Sequence, residues 1–220
     1  MDILNSLESL LPKYQTTLPF SKQTVSFVPF RVKDAKNISI ILQEENRKLA
    51  LTSLVDILKT NVKDINILDL CMADAEFLFL QIRSKSVDEQ LNLIHNKERI
   101  QVSISEIYGK NDISSQTITL TNNVNIVLET PTIKDLLKLN TLDKEDVIQA
   151  CIKKVIFNGE IFHVSKYVTE EIKLILDNLP MTVLPKFEEF LKTQPDLFLI
   201  IKTEEGDKEV NGFLTFFTYR

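Results

Sequence analysis

The stretch that decides the fold is residues 73–84, with the sequence ADAEFLFLQIRS. Between residues 77 and 82 every residue except Gln81 is apolar. Asp74 suits an N-cap position, because its side-chain oxygen can accept a hydrogen bond from a free amide of a helix's first turn. The sequence therefore predicts a buried helix over Ala75–Arg83, the strongest part of a helical passage from Ile65 to Ser84.

A β-hairpin is predicted directly after this helix. Residues Asp88–Ile94 and Arg99–Ile104 alternate in polarity, and the polar run His95–Glu98 separates them, which is a hairpin signature. A later passage, Lys186–Leu214, repeats the order of a helix, a strand, a tight polar turn and a returning strand. We therefore predict the α+β class, with helices combined with short antiparallel hairpins in two similar helix-plus-hairpin lobes.

The remaining pattern adds short elements and a boundary. Strands are predicted at Thr24–Val28, Ile118–Leu120, Val124–Leu128, Ile161–Val164, Leu197–Lys202 and Val210–Phe217. Helices are predicted from a cap at Asp34 to Leu42 and at Arg47–Lys59, Ile133–Leu139, Lys144–Phe157, Thr169–Leu179 and Leu184–Thr193. With a boundary near Pro131, the predicted organisation is an N-terminal arm (1–22), a first lobe with two hairpins (23–130) and a second lobe that ends in a hairpin (131–220).

Composition and charge argue against several classes of function. The chain carries 26 basic and 31 acidic side chains for a formal net charge of -5, with both signs interspersed, so it lacks the basic patch typical of nucleic-acid binding. No apolar run approaches the roughly 20 residues of a membrane helix. Asp2 and Glu8 stand where a signal peptide would carry positive charge. We therefore expect a cytosolic protein that binds neither nucleic acid nor membrane.

Residues that could carry chemistry are few. The chain has two histidines, His95 and His163, and two cysteines, Cys71 and Cys151. A nucleophilic mechanism needs a nucleophile, a base and a group that orients the base, and no nucleophile motif surrounds Cys151. Buried free thiols are the simpler interpretation, because cytosol keeps thiols reduced. No catalytic residue is predicted, and a small hydrolase or transferase with an unrecognised site is the remote alternative.

Several short pieces, taken in order, carry a family resemblance. They are Val28–Asp34 (VPFRVKD), Phe77–Val87 (FLFLQIRSKSV), Glu129–Thr132 (ETPT), Asn178–Pro180 (NLP) and Phe187–Pro195 (FEEFLKTQP). In their order and spacing, from Phe27 to Phe217, the chain resembles the baseplate hub assembly family of T-even-type contractile-tailed bacteriophages. No single piece is diagnostic, and the resemblance depends on the whole series.

The resemblance also bears on metal binding. Many members of that family carry cysteine pairs in the turns of both hairpins, which gives each hairpin the look of a small zinc ribbon. In this chain the turns read IHNKE at 94–98 and TEEGD at 203–207. A structural zinc site needs four Cys or His ligands placed as close pairs, which these turns do not contain. We therefore expect no metal and no cofactor.

The resemblance implies a non-enzymatic role in building the central hub of the baseplate. Two forms of that role are open. The protein is either a chaperone-like factor that holds other hub proteins ready for assembly in the host cytoplasm, or a structural subunit retained in the virion baseplate. In both forms the partners are other baseplate hub proteins, and no small-molecule substrate is expected.

Exposed apolar side chains rimmed by polar groups are typical of partner surfaces. The candidate partner-binding residues are Leu18, Phe20, Phe213, Phe216, Phe217 and Tyr219. For the aromatic run near the C-terminus the alternative is that Phe213, Phe216 and Phe217 fill the core of the second lobe.

Overall fold

The computed structural model describes residues 10–43, 46–95, 98–121, 123–167, 169–203, 206–213 and 216. The described residues form two compact units. The first unit holds the chain up to Lys110 and again from Asp196, and the second unit holds Asn111–Pro195. Each unit combines helices with small antiparallel sheets, so the predicted α+β class is confirmed.

The elements follow one another in a mixed order. The helices are α1 (Ala35–Gln43), α2 (Arg47–Asn61), α3 (Met72–Ser86), α4 (Ile133–Lys138), α5 (Lys144–Cys151), α6 (Thr169–Asp177) and α7 (Leu184–Lys192). The strands are β1 (Tyr14–Thr17), β2 (Thr24–Phe27), β3 (Gln90–His95), β4 (Glu98–Ser103), β5 (Tyr108–Lys110), β6 (Ser115–Thr121), β7 (Val124–Glu129), β8 (Ile152–Phe157), β9 (Glu160–His163), β10 (Asp196–Thr203) and β11 (Gly206–Asn211). Within the described ranges, none of the helices has both the length and the apolar character that crossing a bilayer requires.

Helix α3 confirms the predicted buried helix in the first unit. Leu78, Leu80 and Ile82 are all fully buried. The N-cap predicted at Asp74 is wrong, because the helix begins at Met72 with Cys71 at the N-cap. Asp74 instead lies in the first turn, where its carboxylate accepts the backbone N–H of Phe20 at 3.0 Å and of Ser21 at 2.8 Å. The carboxylate thus ties an early segment of the chain to α3.

The three sheets of the first unit are all antiparallel. They pair β1 with β2, β3 with β4, and β10 with both β11 and β5. The predicted hairpin after α3 is confirmed. A closing hairpin is also present, but the predicted strand Val210–Phe217 is wrong in its bounds, because β11 covers Gly206–Asn211 and shares only Val210 and Asn211 with it. Strand β5 was missed because it has only three residues. A Cβ at its Gly109 would lie 3.0 Å from the ring of Phe20, so close packing favours glycine there.

The second unit is built on one sheet with the order β6-β7-β8-β9. The helix predicted over Lys144–Phe157 is wrong in its second half, since α5 ends at Cys151 and β8 begins at the next residue. In β8, Val155 lies opposite Ile126 of β7 and Phe162 of β9. Pairing on both sides, together with the β-branched residues of β8, outweighs the continuation of the helical pattern.

The core of the second unit lies between this sheet and the helices. Ile126 and Leu128 of β7 are fully buried, and Phe187 and Phe190 of α7 pack in the same apolar cluster. The predicted helices over Thr169–Leu179 and Leu184–Thr193 are confirmed as α6 and α7. Helix α7 therefore contributes its aromatic side chains to the core of the unit and leaves its other face to solvent.

The VPFRVKD piece at Val28–Asp34 has a structural role. The backbone N–H of Val28 donates to the carbonyl of Asn61 at 3.0 Å. The buried carboxylate of Asp34 accepts the backbone N–H of Arg31 at 2.8 Å and the side-chain amide of Asn61 at 3.2 Å. These bonds fix the corner between β2 and α1 against the end of α2.

The limits of the compact units differ from the predicted lobes. The units divide at 110/111 and at 195/196, whereas the lobes were predicted to meet at 130/131. The hairpin β6–β7 pairs onward with β8, and the closing hairpin β10–β11 pairs with β5. The first part of the passage Lys186–Leu214, up to residue 195, therefore belongs to the second unit and the rest to the first. The described part of the predicted arm contains β1. The division into an arm and two lobes stays a prediction, because compactness does not measure independent folding.

We predict that Asp74→Ala lowers the free energy of unfolding by about 2 to 4 kcal/mol, because two backbone N–H groups lose their acceptor in a buried environment. Urea unfolding followed by circular dichroism measures the change. The matched control is Asp56→Ala on the exposed face of α2, for which we expect a change within about 0.5 kcal/mol. Equal losses in both variants would contradict the proposed role of Asp74.

Candidate functional site

The predicted partner-binding residues near the N-terminus lie in the interior of the first unit. Leu18 is fully buried and Phe20 is 7% exposed. The ring of Phe20 lies against Gly109, and its backbone N–H donates to Asp74. Both side chains therefore contribute to packing in this conformation.

The aromatic residues predicted near the C-terminus divide into two groups. Phe213 and Phe216 are buried, and the ring of Phe213 meets the ring of Phe79 edge-on with centroids 5.4 Å apart. These two residues lie in a core, which was the alternative interpretation, although that core belongs to the first unit. Phe217 and Tyr219 lie outside the described residues. Partner binding by any of the six residues stays a prediction, and for the buried four it would require them to leave the core.

The two cysteines are buried free thiols. Burial raises the pKa of Cys71 and of Cys151 to about 12 in each case, so both remain protonated near neutral pH. A protonated thiol is a poor nucleophile and a poor metal ligand. His163 lies exposed on β9, whereas Cys151 faces the apolar cluster. The side chain of His95 lies outside the described residues.

Metal ligands were considered at the two hairpin turns. Among the residues that the structure describes, no group of three or more His, Cys, Asp or Glu side chains could hold a metal ion. Asn96, Lys97, Glu204 and Glu205 of those turns lie outside the described residues.

A pair of acidic residues with shifted pKa values lies in the first unit. Glu76 is on α3 and Asp196 begins β10. Burial, followed by the negative charge of Asp196, raises the pKa of Glu76 to about 8. Burial also raises the pKa of Asp196, and the charge of Glu209 adds to the effect, while a hydrogen bond from the Leu197 backbone and the charge of Lys110 oppose it. Such shifts occur in catalytic sites and in structural clusters alike, so they need a substrate cleft before they indicate chemistry.

A polar cleft of about 350 Å³ lies beside α4, β8 and β9 in the second unit. At its centre the amine of Lys153 donates to the carboxylate of Asp135 at 2.6 Å and to the carbonyl of Ala150 at 3.0 Å. Burial opposes ionisation of Asp135, but Lys153 and hydrogen bonds from Thr132 outweigh it and lower its pKa. Thr132 and Asp135 also form the capping box of α4. Lys153 and Asp135 of this cleft therefore help to stabilise the fold.

An apolar groove of about 220 Å³ lies elsewhere in the second unit, between α5, the end of α6 and α7. The buried side chains that line it are the apolar Ile148, Val183 and Phe187 and the polar Gln149. At its mouth Met181 is 81% exposed and Leu184 is 47% exposed. Charged residues surround the opening: Glu145, Asp146, Lys173 and Asp177. An apolar floor with a polar rim is the arrangement expected of a partner-binding site.

The NLP piece at Asn178–Pro180 creates this groove. Helix α6 ends at Asp177, and the N–H of Leu179 closes the last turn on the carbonyl of Leu176 at 3.0 Å. Pro180 has no N–H and cannot continue the helix. A single 3-10 turn, Met181–Val183, then leads into α7. This short connection holds α6 and α7 apart at one end and leaves Met181 without cover.

Sequence reasoning missed the groove residues. The piece Asn178–Pro180 carries part of the family resemblance, but Leu184 is an ordinary apolar residue at the start of a predicted amphipathic helix, and Met181 lies before that helix. A helical wheel places Phe187 and Phe190 in the core and gives no position for residues before the helix. The proline-terminated helix followed at once by an apolar residue is the one local signal that could have indicated exposure.

Comparison with known proteins identifies a family. The model of a family described as T4 bacteriophage base plate protein matches residues 11–218. No curated protein matches the chain significantly, and neither does any solved structure. The matched residues include most of the first unit, all of the second unit and the whole of the groove.

We predict that Glu76→Gln flattens the dependence of stability on pH. In the wild type the folded-state pKa, about 8, lies above the ordinary glutamate value of 4.5. Its stabilising contribution is therefore complete below about pH 4.5 and is lost as the pH rises through about 8. At pH 9 we expect the variant to be more stable than the wild type by about 1 to 3 kcal/mol.

Chemical unfolding at a series of pH values between 5 and 9 measures this difference. The control is Glu106→Gln, at an exposed position of the same unit, which should leave the wild-type pH dependence in place. Parallel curves for wild type and Glu76→Gln would show that Glu76 is not the titrating group.

Proposed function

Because the chain belongs to the family of T4 bacteriophage base plate proteins, we propose that it is a non-enzymatic, chaperone-like factor for assembly of the central hub of the base plate. Family membership implies contacts with other phage base plate proteins. In the proposed role the protein holds one of these in an assembly-competent form in the host cytoplasm and is then released.

The observation that carries this proposal is the apolar groove with Met181 and Leu184 at its mouth. Its volume of about 220 Å³ accommodates an anchor of one or two large side chains. A contact centred on one small anchor suits reversible binding, whereas permanent assemblies commonly bury 2,000 Å² or more of mostly apolar surface. The groove therefore supports a factor that binds and releases its partner.

The polar sites of the chain support a role without catalysis. Both cysteine thiols are kept protonated by burial, with pKa values of about 12. In the polar cleft, Lys153 is bound by Asp135 and by a backbone carbonyl. Groups that satisfy one another in this way stabilise a fold.

A second candidate function is a structural subunit that stays in the virion. The family description itself favours it, since it names a protein of the base plate. Both candidates require a partner among the base plate proteins, and they differ in whether that contact survives assembly.

The amount of the chain in mature particles distinguishes the two candidates. For an assembly factor we expect quantitative mass spectrometry of purified virions to find less than one copy per particle. The same measurement on assembly intermediates from infected cells should find the chain together with hub proteins. A stable whole-number copy count in virions would instead establish the structural subunit.

A double variant tests the groove as the partner surface. We predict that Met181→Ser with Leu184→Ser lowers recovery of the bound base plate protein by at least about tenfold, which corresponds to about 1.4 kcal/mol. Because both side chains are exposed, the free energy of unfolding should change by less than about 1 kcal/mol. The measurement is co-purification after co-expression with base plate proteins of the same phage.

The matched control is Ile113→Ser with Ile161→Ser, which removes two side chains of the second unit that are 52% and 54% exposed and lie outside the groove. The control should bind as the wild type does. If both double variants bind equally well, the groove is not the surface that contacts the partner.

A further inference from the structure

We propose that the groove receives an amphipathic helix of a partner protein, which inserts one or two large apolar side chains and carries basic residues beside them. This inference rests on the proposed function, since the helix belongs to another base plate protein. It goes further in stating the secondary structure, the anchor and the charge of the bound segment.

The volume of the groove limits the size of the side chains that can enter it. Pockets for cofactors and drug-sized molecules usually measure about 300 to 1,000 Å³. The groove measures about 220 Å³, while a cavity of about 150 Å³ in another protein is enough for benzene. The space therefore fits one or two side chains of the size of leucine or phenylalanine. Ile148, Val183 and Phe187 provide an apolar floor for them.

The walls of the groove favour a helix over an extended segment. A peptide that binds as an added strand needs unpaired backbone groups along a sheet edge. Here the walls are helical, and their amides are bonded internally: the N–H of Val147 donates to the carbonyl of Asp143, and that of Val183 donates to the carbonyl of Pro180, both at 3.0 Å. Side chains spaced three and four residues apart on a helix can enter such a groove together.

The rim of the groove sets the charge of the partner. Three acidic residues, Glu145, Asp146 and Asp177, line it with a single lysine, Lys173. Glu145 and Asp177 are exposed. Asp146 accepts the backbone N–H of Thr141 at 2.9 Å, a hydrogen bond that leaves its negative charge in place. The rim is therefore net negative by two charges (one positive against three negative), and Lys or Arg beside the anchor would complement it.

Photo-crosslinking identifies the bound segment. The probe is p-benzoylphenylalanine at position 181, introduced into the full chain co-expressed with base plate proteins of the same phage. The control carries the probe at position 161, also exposed in the second unit. We expect position 181 to crosslink to one segment with apolar residues at i and i+3 or i+4 and a net positive charge. A net acidic segment, an alternating extended pattern, or equal crosslinking from position 161 would overturn the proposal.

The charge is tested with the crosslinked segment as a synthetic peptide. We expect Glu145→Lys with Asp177→Lys to weaken binding at least about fivefold in fluorescence anisotropy, and a peptide with Lys or Arg changed to Glu to restore it. Glu160→Lys, on β9, is the control and should bind the original peptide as the wild type does. Weakening without restoration by the changed peptide would contradict charge complementarity.

The outcomes separate this inference from the proposed function. If a base plate protein co-purifies with the wild type but position 181 forms no crosslink to it, the groove proposal fails and the assembly role stands. If no base plate protein co-purifies, the proposed function fails together with the identity of the helix.

Discussion

Burial of helix α3 is the constraint on which the first unit depends. Separate parts of the chain reach this one helix: Asp74 binds the backbone of Phe20 and Ser21, and Ser86 accepts the N–H of Phe30 at 2.7 Å. On the same helix the ring of Phe79 contacts Phe30, with centroids 5.1 Å apart, and Phe213. Because these contacts come from residues far apart in sequence, α3 orders the segments around it. Burial is also the larger cause of the raised pKa of Glu76 on this helix, with the charge of Asp196 as the second cause.

The sequence predicts elements well where the determining interactions are local. Helix α3, the hairpin β3–β4 and helices α6 and α7 each follow from periodicity within a short window. Strand β8 was predicted to be helical, because its strand conformation depends on pairing with β7 and β9 on either side. Strand β5 was missed for the same reason, since the three residues around Gly109 form a strand by pairing with β10. The compact units could not be predicted either, because they are defined by these pairings.

The candidate site shows a second limit, which concerns which side chains face outward. Aromatic and large apolar residues serve both cores and interfaces, so composition does not distinguish the two. Leu18, Phe20, Phe213 and Phe216 were candidates for a surface and lie in a core. Met181 was not among the candidates and is exposed. Pro180 before it cannot continue α6, and Val183 after it is buried. The exposure of Met181 therefore results from the connection between α6 and α7.

The sequence pieces that carry the family resemblance also differ in whether they stabilise the fold or lie at the surface. Val28–Asp34 and Glu129–Thr132 hold polar groups together within the fold, through Asp34 and through the cap that Thr132 gives to α4. Asn178–Pro180 instead shapes a surface. The hairpins β3–β4 and β10–β11, whose turns contain no cysteine pairs, have apolar support of their own: Leu91 and Val102 are opposed and buried in one, and Leu199 and Val210 in the other. Apolar packing therefore stabilises these hairpins, and the proposed partner surface lies at the turn between α6 and α7.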